Sequence, residues 1–139
     1  MAVTRPTIVD IVEEARRNPH YRRVVHTGAR SQLVVMTIPP HGEVGEETHR
    51  AVEQSLFIVE GSGTVVLNGH RETVRPGDAV VVPPGTTHNL KAGREPIRLF
   101  TIYTPPNHLD GVVHRTRADA EADAEDEAFG RQVERGRSR

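Results

Sequence analysis

The chain has 139 residues, a length that suits one domain with a single hydrophobic core. Its formal net charge is -1, which argues against binding to nucleic acid or to an anionic membrane, because both need a basic surface. It contains no cysteine, so disulfides and thiolate metal sites are excluded. No apolar run is long enough to span a membrane and no secretory pattern begins the chain, so we expect a cytoplasmic protein.

The first predicted element is a short amphipathic helix over residues 7–17. Pro6 suits its first turn, and Asn18-Pro19 ends it. We expect this helix to cover one side of the domain, with binding to a partner as the functional alternative. Apolar residues recur at helical spacing at Ile8, Ile11, Val12 and Ala15.

A series of short strands follows, with turn signals between them. Asn68-Gly69 predicts a type I′ hairpin turn, in which both residues take positive φ. Pro76 and Gly77 stand where a type II turn favours them. Many short strands without a long intervening helix predict a β-sandwich or a β-barrel. The predicted strands are 21–27, 31–38, a segment beginning at Val44, 54–60, 64–67, 70–74, 79–82 and 97–104.

The character of the chain changes at Pro105, where a loop begins. Thr116 can cap an Ala/Glu/Asp-rich helix that runs from Arg117 to about Phe129. Residues 130–139 are charged, and we expect them to be frayed. The acidic run 121–127 is interpreted as a solvated helix face and not as a metal site.

Candidate metal ligands lie between residues 41 and 88. Glu47 and His49 are two apart, so their side chains leave the same face of a strand. Gln54 can return on the neighbouring strand, and His88 must arrive from a third. One carboxylate, two imidazoles and one amide oxygen form a plausible set of ligands for a divalent metal.

The spacing of the surrounding residues resembles the two motifs of the cupin family. The second motif, G(X)5PXG(X)2H(X)3N, is met by Gly77, Pro83, Gly85 and His88, with Ala92 in place of the final Asn. The first motif, G(X)5HXH(X)3,4E(X)6G, is met by His49 and Gly61. It departs where Glu47 replaces the first His, where Gln54 replaces the Glu, and where His41 stands at the position of the opening Gly.

This resemblance implies an all-β fold, a cupin-type double-stranded β-helix or jelly-roll barrel, with a short N-terminal helix and a C-terminal helix. The expected domains are a helical arm at 1–20, the barrel at 21–115, and a charged helix and tail at 116–139. It also implies that Glu47, His49, Gln54 and His88 hold one divalent ion: Zn, Mn, Fe, Ni or Co. Four such ligands leave two adjacent positions of an octahedral shell for substrate.

Three functions are compatible with these residues. The first is a metal-dependent enzyme that isomerises or ketonises a small polar, carbohydrate-derived substrate, since the set is similar to sugar-acid cupins and to small cupins grouped with mannose-6-phosphate isomerases. The second is an Fe(II)-dependent dioxygenase, and the third is a non-catalytic ligand-binding or sensing module.

Helper residues and assembly are further predictions from the sequence. Tyr103 and His108 are the candidate catalytic residues, with His114 and His41 as further loop candidates. For Tyr103 the simpler interpretation is a half-buried strand aromatic with its hydroxyl at the rim. Apolar faces on both sides of 56–59 and 80–82 predict a homodimer.

Overall fold

The computed structural model describes residues 5–137, so the first four residues of the predicted N-terminal arm and the last two of the predicted tail lie outside the described range. Within that range the chain forms ten strands and three helices. In chain order they are α1 (Ile11–Arg17), β1 (Arg22–Thr27), β2 (Gln32–Ile38), β3 (Glu47–Thr48), β4 (Glu53–Glu60), β5 (Gly63–Leu67), β6 (His70–Val74), β7 (Ala79–Val82), β8 (Thr87–Ala92), β9 (Ile97–Thr104), β10 (Val113–His114), α2 (Arg117–Ala122) and α3 (Ala124–Arg137).

The strands form two antiparallel sheets, which confirms the expected all-β jelly roll. The six-stranded sheet has the order β10-β1-β2-β9-β4-β7, and the four-stranded sheet has the order β3-β8-β5-β6. Apolar side chains from both sheets make one core, because each strand turns alternate residues inward. Examples are Val34, Leu56 and Leu99 from the larger sheet and Val65 and Leu90 from the smaller one.

The hairpin turns follow the sequence signals. Asn68 has φ 50° and Gly69 has φ 81°, which confirms the predicted type I′ turn between β5 and β6. Gly77 has φ 95° after Pro76, as a type II turn requires. The first of these turns sets the register of β5 against β6.

The N-terminal helix is shorter than predicted. It begins at Ile11 and not at Thr7, because the Asp10 side chain accepts a hydrogen bond from the Glu13 backbone N–H and so caps the helix there. Ile8 is fully exposed, so the predicted apolar stripe does not extend to it. Ala15 is the buried helix residue, and α1 packs against β2, β4 and β9.

The strand pairing corrects one expectation about the metal ligands. β3 pairs with β8 in the smaller sheet, whereas Gln54 lies on β4 in the larger sheet. Gln54 is therefore not on a strand next to Glu47; His88 is. The sequence interpretation also left out β10 and gave no bounds to β8.

The C-terminal region forms two helices where one was predicted. Thr116 caps α2 through a hydrogen bond from the Asp119 N–H, as expected. The helix ends at Asp123, whose side chain accepts the Asp126 N–H and thereby begins α3. α3 continues to Arg137, so the predicted helix end near Phe129 is wrong. None of the helices among residues 5–137 is long and apolar enough to cross a membrane.

Candidate metal centre

Three of the predicted ligands meet between β3 and β8. Glu47 lies directly opposite His88 in the antiparallel pair, and His49 follows β3 by one residue. Glu47 Oε1 lies 3.6 Å from His49 Nε2 and 4.0 Å from His88 Nε2. The ligand atoms of all three side chains lie within 4.8 Å of one another. The structure therefore brings together two imidazoles and one carboxylate, as the sequence predicted.

Gln54 presents its amide oxygen from the opposite sheet. The Thr101 hydroxyl donates to the Ser55 carbonyl at 2.8 Å, so it accepts from Gln54 Nε2 at 3.1 Å. This fixes the orientation of the amide and leaves Gln54 Oε1 buried without a partner. Gln54 is in register with Tyr103, whose ring lies 6.3 Å from that of His49. The Gln54 side chain therefore lies on the inner surface of the barrel, beside Tyr103.

The tautomer of His88 is set by the backbone. Its Nδ1 lies 3.0 Å from the Thr86 carbonyl oxygen, which can only accept a hydrogen bond, so Nδ1 carries the proton. The lone pair of His88 is then on Nε2, on the side of Glu47. A backbone carbonyl that orients the second nitrogen of a ligand histidine is a common feature of metal sites.

A divalent cation fits this donor set. His49 Nε2, His88 Nε2 and Gln54 Oε1 are all buried and have no hydrogen-bond partner among residues 5–137. A buried polar atom without a partner is destabilising. Two such nitrogens within 4.0 Å of Glu47 Oε1 therefore indicate a cation as their partner. Nitrogen and oxygen ligands of this kind suit Zn, Mn, Fe, Ni or Co.

The charges of the ligand side chains are also compatible with a cation. Burial acts to raise the pKa of Glu47, but the adjacent His49 ring and the Arg22 charge more than offset it, and the carboxyl pKa lies below its usual range. Burial lowers the pKa of His88, against the opposing effects of the Thr86 carbonyl and Glu47. Near neutral pH the site therefore offers an ionised carboxylate and a neutral His88 imidazole.

Tyr103 is more deeply buried than the simpler sequence interpretation expected. Its side chain is 1% exposed, so its hydroxyl is not at a solvated rim. It lies in an inward row between Gln32 and Gln54, and burial raises its pKa well above the usual range. Its ring contacts His108 edge-on at 4.9 Å between centroids. Tyr103 is thus a neutral phenol in the wall of the site.

His108 lies in the loop after β9 and is held by a carboxylate from α3. Its Nδ1 is 2.7 Å from Asp126 Oδ2, and Asp126 Oδ1 accepts the Leu109 N–H at 2.7 Å. His108 Nε2 is buried and has no partner. The interpretation of residues 121–127 as a solvated face is therefore wrong at Asp126, which is 6% exposed and faces the barrel.

The other histidines take different positions. His41 is exposed, and His70 is exposed and pairs with Glu72. His114 is buried between Arg22 Nη1 at 3.2 Å and Asp123 Oδ2 at 2.9 Å. His114, Asp123 and Asp126 have metal-like spacing, but the Arg22 guanidinium already occupies His114 Nδ1.

A cavity of about 180 Å³ lies at the mouth of the barrel. Glu47 and His108 line it, so one candidate ligand and one candidate catalytic residue face the same space. Residues of α2 and α3, including Arg117 and Asp126, form its outer wall. The C-terminal helices therefore cover the site.

Sequence reasoning missed Arg22, Asp123 and Asp126. Strand periodicity could have indicated Arg22, since it has the same inward phase as Val24 two residues later. No local signal distinguishes Asp126 from the neighbouring acidic residues, because its partner His108 lies 18 positions earlier in a loop.

Comparison with known proteins agrees with this architecture. The family model for the cupin domain matches residues 34–103. YrkC of Bacillus subtilis is 37% identical over 129 residues, which cover 88% of this chain and 69% of YrkC. The crystal structure of BH2720 from Bacillus halodurans has 37% identity and a TM-score of 0.83, and the match covers 85% of this chain and 95% of that one. A barrel with inward histidines and this match define the class: the chain belongs to the cupin family.

A more distant relative has a stated activity. The 5-aminosalicylate 1,2-dioxygenase of Comamonas sp. is 34% identical over 73 residues, which cover 52% of this chain but 20% of that protein. The likeness is thus confined to one part of a much longer chain.

Proposed function

We propose that this cupin is a metal-dependent enzyme that isomerises or ketonises a small polar substrate, one derived from carbohydrate. The observation that supports this most directly is the pair of buried Nε2 atoms of His49 and His88, which lie 3.6 and 4.0 Å from Glu47 Oε1 and have no hydrogen-bond partner in the described range. Glu47, His49, Gln54 and His88 would hold the ion. A bound divalent ion supplies polarisation of a carbonyl or hydroxyl oxygen and lowers the pKa of bound water.

His108 is the proposed general base. Asp126 accepts a hydrogen bond from Nδ1–H, so the lone pair is on Nε2, which is buried and has no hydrogen-bond partner among residues 5–137. Burial and the Arg22 charge lower the pKa of His108 despite the Asp126 contact, so the imidazole is neutral near pH 7. In ketonisation, Nε2 can accept the hydroxyl proton of an enol while a proton is returned to the far carbon of its C=C bond. In isomerisation of an α-hydroxy carbonyl compound, Nε2 can accept the proton of the hydroxyl-bearing carbon and return it to the former carbonyl carbon, while the hydroxyl proton passes to the carbonyl oxygen.

Tyr103 is proposed to help His108 in two ways: as a neutral hydrogen-bond donor, and through packing of its ring. Its raised pKa keeps the phenol protonated, so it can donate a hydrogen bond but does not act as a base. Its ring lies against both His49 and His108, at 6.3 and 4.9 Å between centroids. The ring thereby limits the movement of a ligand residue and of the base.

The second candidate function is an Fe(II)-dependent dioxygenase. The 34% identity to a dioxygenase over 73 residues favours it, and a carboxylate with two histidines suits ferrous iron. Gln54 is an additional donor beyond that set of three.

Metal analysis after anaerobic purification, combined with an oxygen-electrode assay on diols, keto acids and sugar acids, separates the two. We expect turnover of a sugar acid or diol without oxygen uptake, which supports the isomerase proposal. Oxygen uptake that requires iron would support the dioxygenase instead. Binding without turnover in metal-replete protein would support a ligand-binding module. The homodimer and the cytoplasmic location stay predictions.

The ligand assignment is tested separately by Glu47→Ala and His49→Ala. Each variant should bind metal at least about 10-fold more weakly, because each removes a donor that the remaining residues do not replace. Metal content after dialysis, measured by mass spectrometry, gives the result. His70→Ala is the matched control, since His70 is exposed on β6 and pairs with Glu72, away from the candidate ligands. Full occupancy in both ligand variants would contradict the assignment.

A further inference from the structure

Arg22 is a buried cation with an unused hydrogen-bond donor. Its side chain is on β1, and the residue is 6% exposed. No carboxylate among residues 5–137 comes within ion-pairing distance of it. Its Nε is buried and has no hydrogen-bond partner among residues 5–137. The charges of Glu47 and Asp126, and the Tyr21 ring at 5.2 Å from Arg22 Cζ, offset part of the cost of burying the guanidinium. A buried donor without an acceptor is nevertheless destabilising, so Nε is expected to have a ligand.

The guanidinium is held in place by a chain of hydrogen bonds that begins at Asp123, between the two C-terminal helices. Asp123 Oδ2 lies 2.9 Å from His114 Nε2 and can only accept, so that nitrogen carries the proton. His114 Nδ1 then accepts from Arg22 Nη1 at 3.2 Å. A neutral imidazole positions the guanidinium but does not neutralise it. The edge that carries Nε stays available for a planar anion.

Arg22 lines the same cavity as Glu47 and His108. Each carboxylate that lines this cavity lies close to another residue that can carry a positive charge. The Arg22 guanidinium contacts His114 and the Tyr21 ring, but its Nε has no partner among residues 5–137. Glu121 pairs with Arg117 at 3.2 Å, Glu127 with Arg131 at 3.7 Å, Asp126 with His108 at 2.7 Å, and Glu47 lies 3.6 Å from His49. Within the cavity wall, Arg22 is therefore the cation whose free donor an anionic ligand can accept from.

We infer that Arg22 binds the carboxylate of the substrate, so that the enzyme acts on small 2-hydroxy or 2-keto acids. The assignment of the hydroxyl or keto group as the part of the substrate that reacts rests on the proposed function. The assignment of Arg22 as the carboxylate site does not depend on it. One guanidinium matches one planar monoanion in a bidentate arrangement. A phosphate dianion would need further cations, and the other arginine in the wall, Arg117, is already paired with Glu121. The cavity of about 180 Å³ is smaller than the roughly 300–1,000 Å³ of sites for drug-sized ligands, which favours a short acid.

The test compares glycerate with its uncharged amide, glyceramide, by calorimetry or ligand-detected NMR, on metal-free and zinc-loaded protein. The wild type should bind glycerate in preference to glyceramide in both forms. Arg22→Gln should reduce the affinity for glycerate by about 10- to 100-fold and leave glyceramide binding unchanged, because it removes a charge-assisted contact. Arg22→Lys, which keeps the charge but not the planar fork, should retain part of the preference.

Two controls accompany these variants. Arg23→Gln changes the next residue on β1, whose side chain pairs with Glu14 of α1, and it should bind glycerate as the wild type does. The thermal unfolding midpoint of each variant shows whether it is folded. If Arg22→Gln does not fold, the result for Arg22→Lys decides, since that variant keeps a cation in place.

The outcomes separate this inference from the proposed function. Equal binding of glycerate and glyceramide, or unchanged glycerate binding in a folded Arg22→Gln or Arg22→Lys variant, would overturn the carboxylate site. Tighter binding of inorganic phosphate than of glycerate by the wild type would overturn the assigned ligand class. An Arg22-dependent preference for glycerate in a protein that binds no metal would support the carboxylate site and refute the metal-dependent function.

Discussion

The pair formed by His108 and Asp126 links two residues whose charges depend on each other. Burial and the Arg22 charge lower the pKa of His108, although Asp126 acts to raise it. Burial acts to raise the pKa of Asp126, but the hydrogen bond and charge of His108 more than offset it and leave that pKa low. Near neutral pH the pair is therefore a neutral imidazole held by a carboxylate, which is the state a general base requires.

The lowered pKa of His108 predicts that acid destabilises the protein. In the unfolded chain the imidazole binds a proton near its ordinary pKa of 6.5, but in the folded protein only at lower pH. Between these two pH values the unfolded state binds more protons, so the free energy of unfolding falls as the pH is lowered through this interval. Urea unfolding at pH 7.5 and 5.5 should show this fall, and His108→Gln should show a smaller one. Part of the fall should remain in His108→Gln, because the pKa of His88 is also lowered in the folded protein. An equal fall in both proteins would contradict the prediction.

The sequence predicted the candidate metal residues better than their supporting residues. His49 and His88 stand at motif positions, and Glu47 was placed by its two-residue separation from His49. The carboxylate that holds His108 was not predicted, because Asp126 comes from a helix that folds back over the barrel mouth. Local spacing carries no information about such a contact.

At the scale of elements, Gly61 holds the connection between β4 and β5 in a conformation that other residues adopt with strain. Its φ is +83°, and a Cβ there would lie 2.0 Å from the Pro96 carbonyl oxygen. Gly69 has a similar φ of +81° but open space around it. The two glycines therefore separate backbone strain from steric overlap.

We expect Gly61→Ala to destabilise the protein more than Gly69→Ala. The control should lose about 1–2 kcal/mol from positive φ alone. Gly61→Ala should lose a further ~1–3 kcal/mol or more, because the new methyl group forces backbone shifts. The free energy of unfolding in urea measures both. Equal losses of unfolding free energy in the two variants would contradict the prediction, because they would show that the backbone at Pro96 makes room for the methyl group without destabilising the fold.

Most elements were predictable, and the exceptions have physical reasons. β6, β7 and β9 have the bounds predicted, because alternating or apolar runs are flanked by Gly, Pro and Asn turns. The strand β8 carries Asn89 and Lys91 among its residues and lacks a simple apolar pattern. The break at Asp123 arises from a side-chain cap inside a run of good helix formers, where propensity alone favours one continuous helix.

On the scale of the whole molecule, α3 connects two loops at the barrel mouth. Asp126 accepts hydrogen bonds from His108 and Leu109, and both carboxylate oxygens of Glu134 accept from the Arg50 N–H at 3.1 Å. The helix therefore stabilises the loop after β9 and the loop after β3, which carries His49. Closure of the mouth and placement of the candidate base are consequences of the same helix.

The outer face of the six-stranded sheet is the expected dimer surface. Phe57 and Phe100 stack there with ring centroids 4.7 Å apart, and both remain partly exposed. Val81 on the neighbouring strand β7 is 56% exposed. Apolar residues grouped on one exposed sheet face favour association with a second surface. A second copy of the chain is the simplest partner, because the same patch can pair with itself about a two-fold axis.

If this face pairs two copies, Val81→Lys should convert the dimer to monomer, because it places a charge in an apolar contact and leaves it without a partner. Val113→Lys is the matched control: Val113 is 48% exposed but lies on β10, at the opposite edge of the sheet. Sedimentation velocity at a range of concentrations should give a dimer for the wild type and for Val113→Lys, and a monomer for Val81→Lys. A wild-type monomer at all concentrations, or dissociation caused by Val113→Lys alone, would show that the exposed face near Phe57 does not mediate self-association.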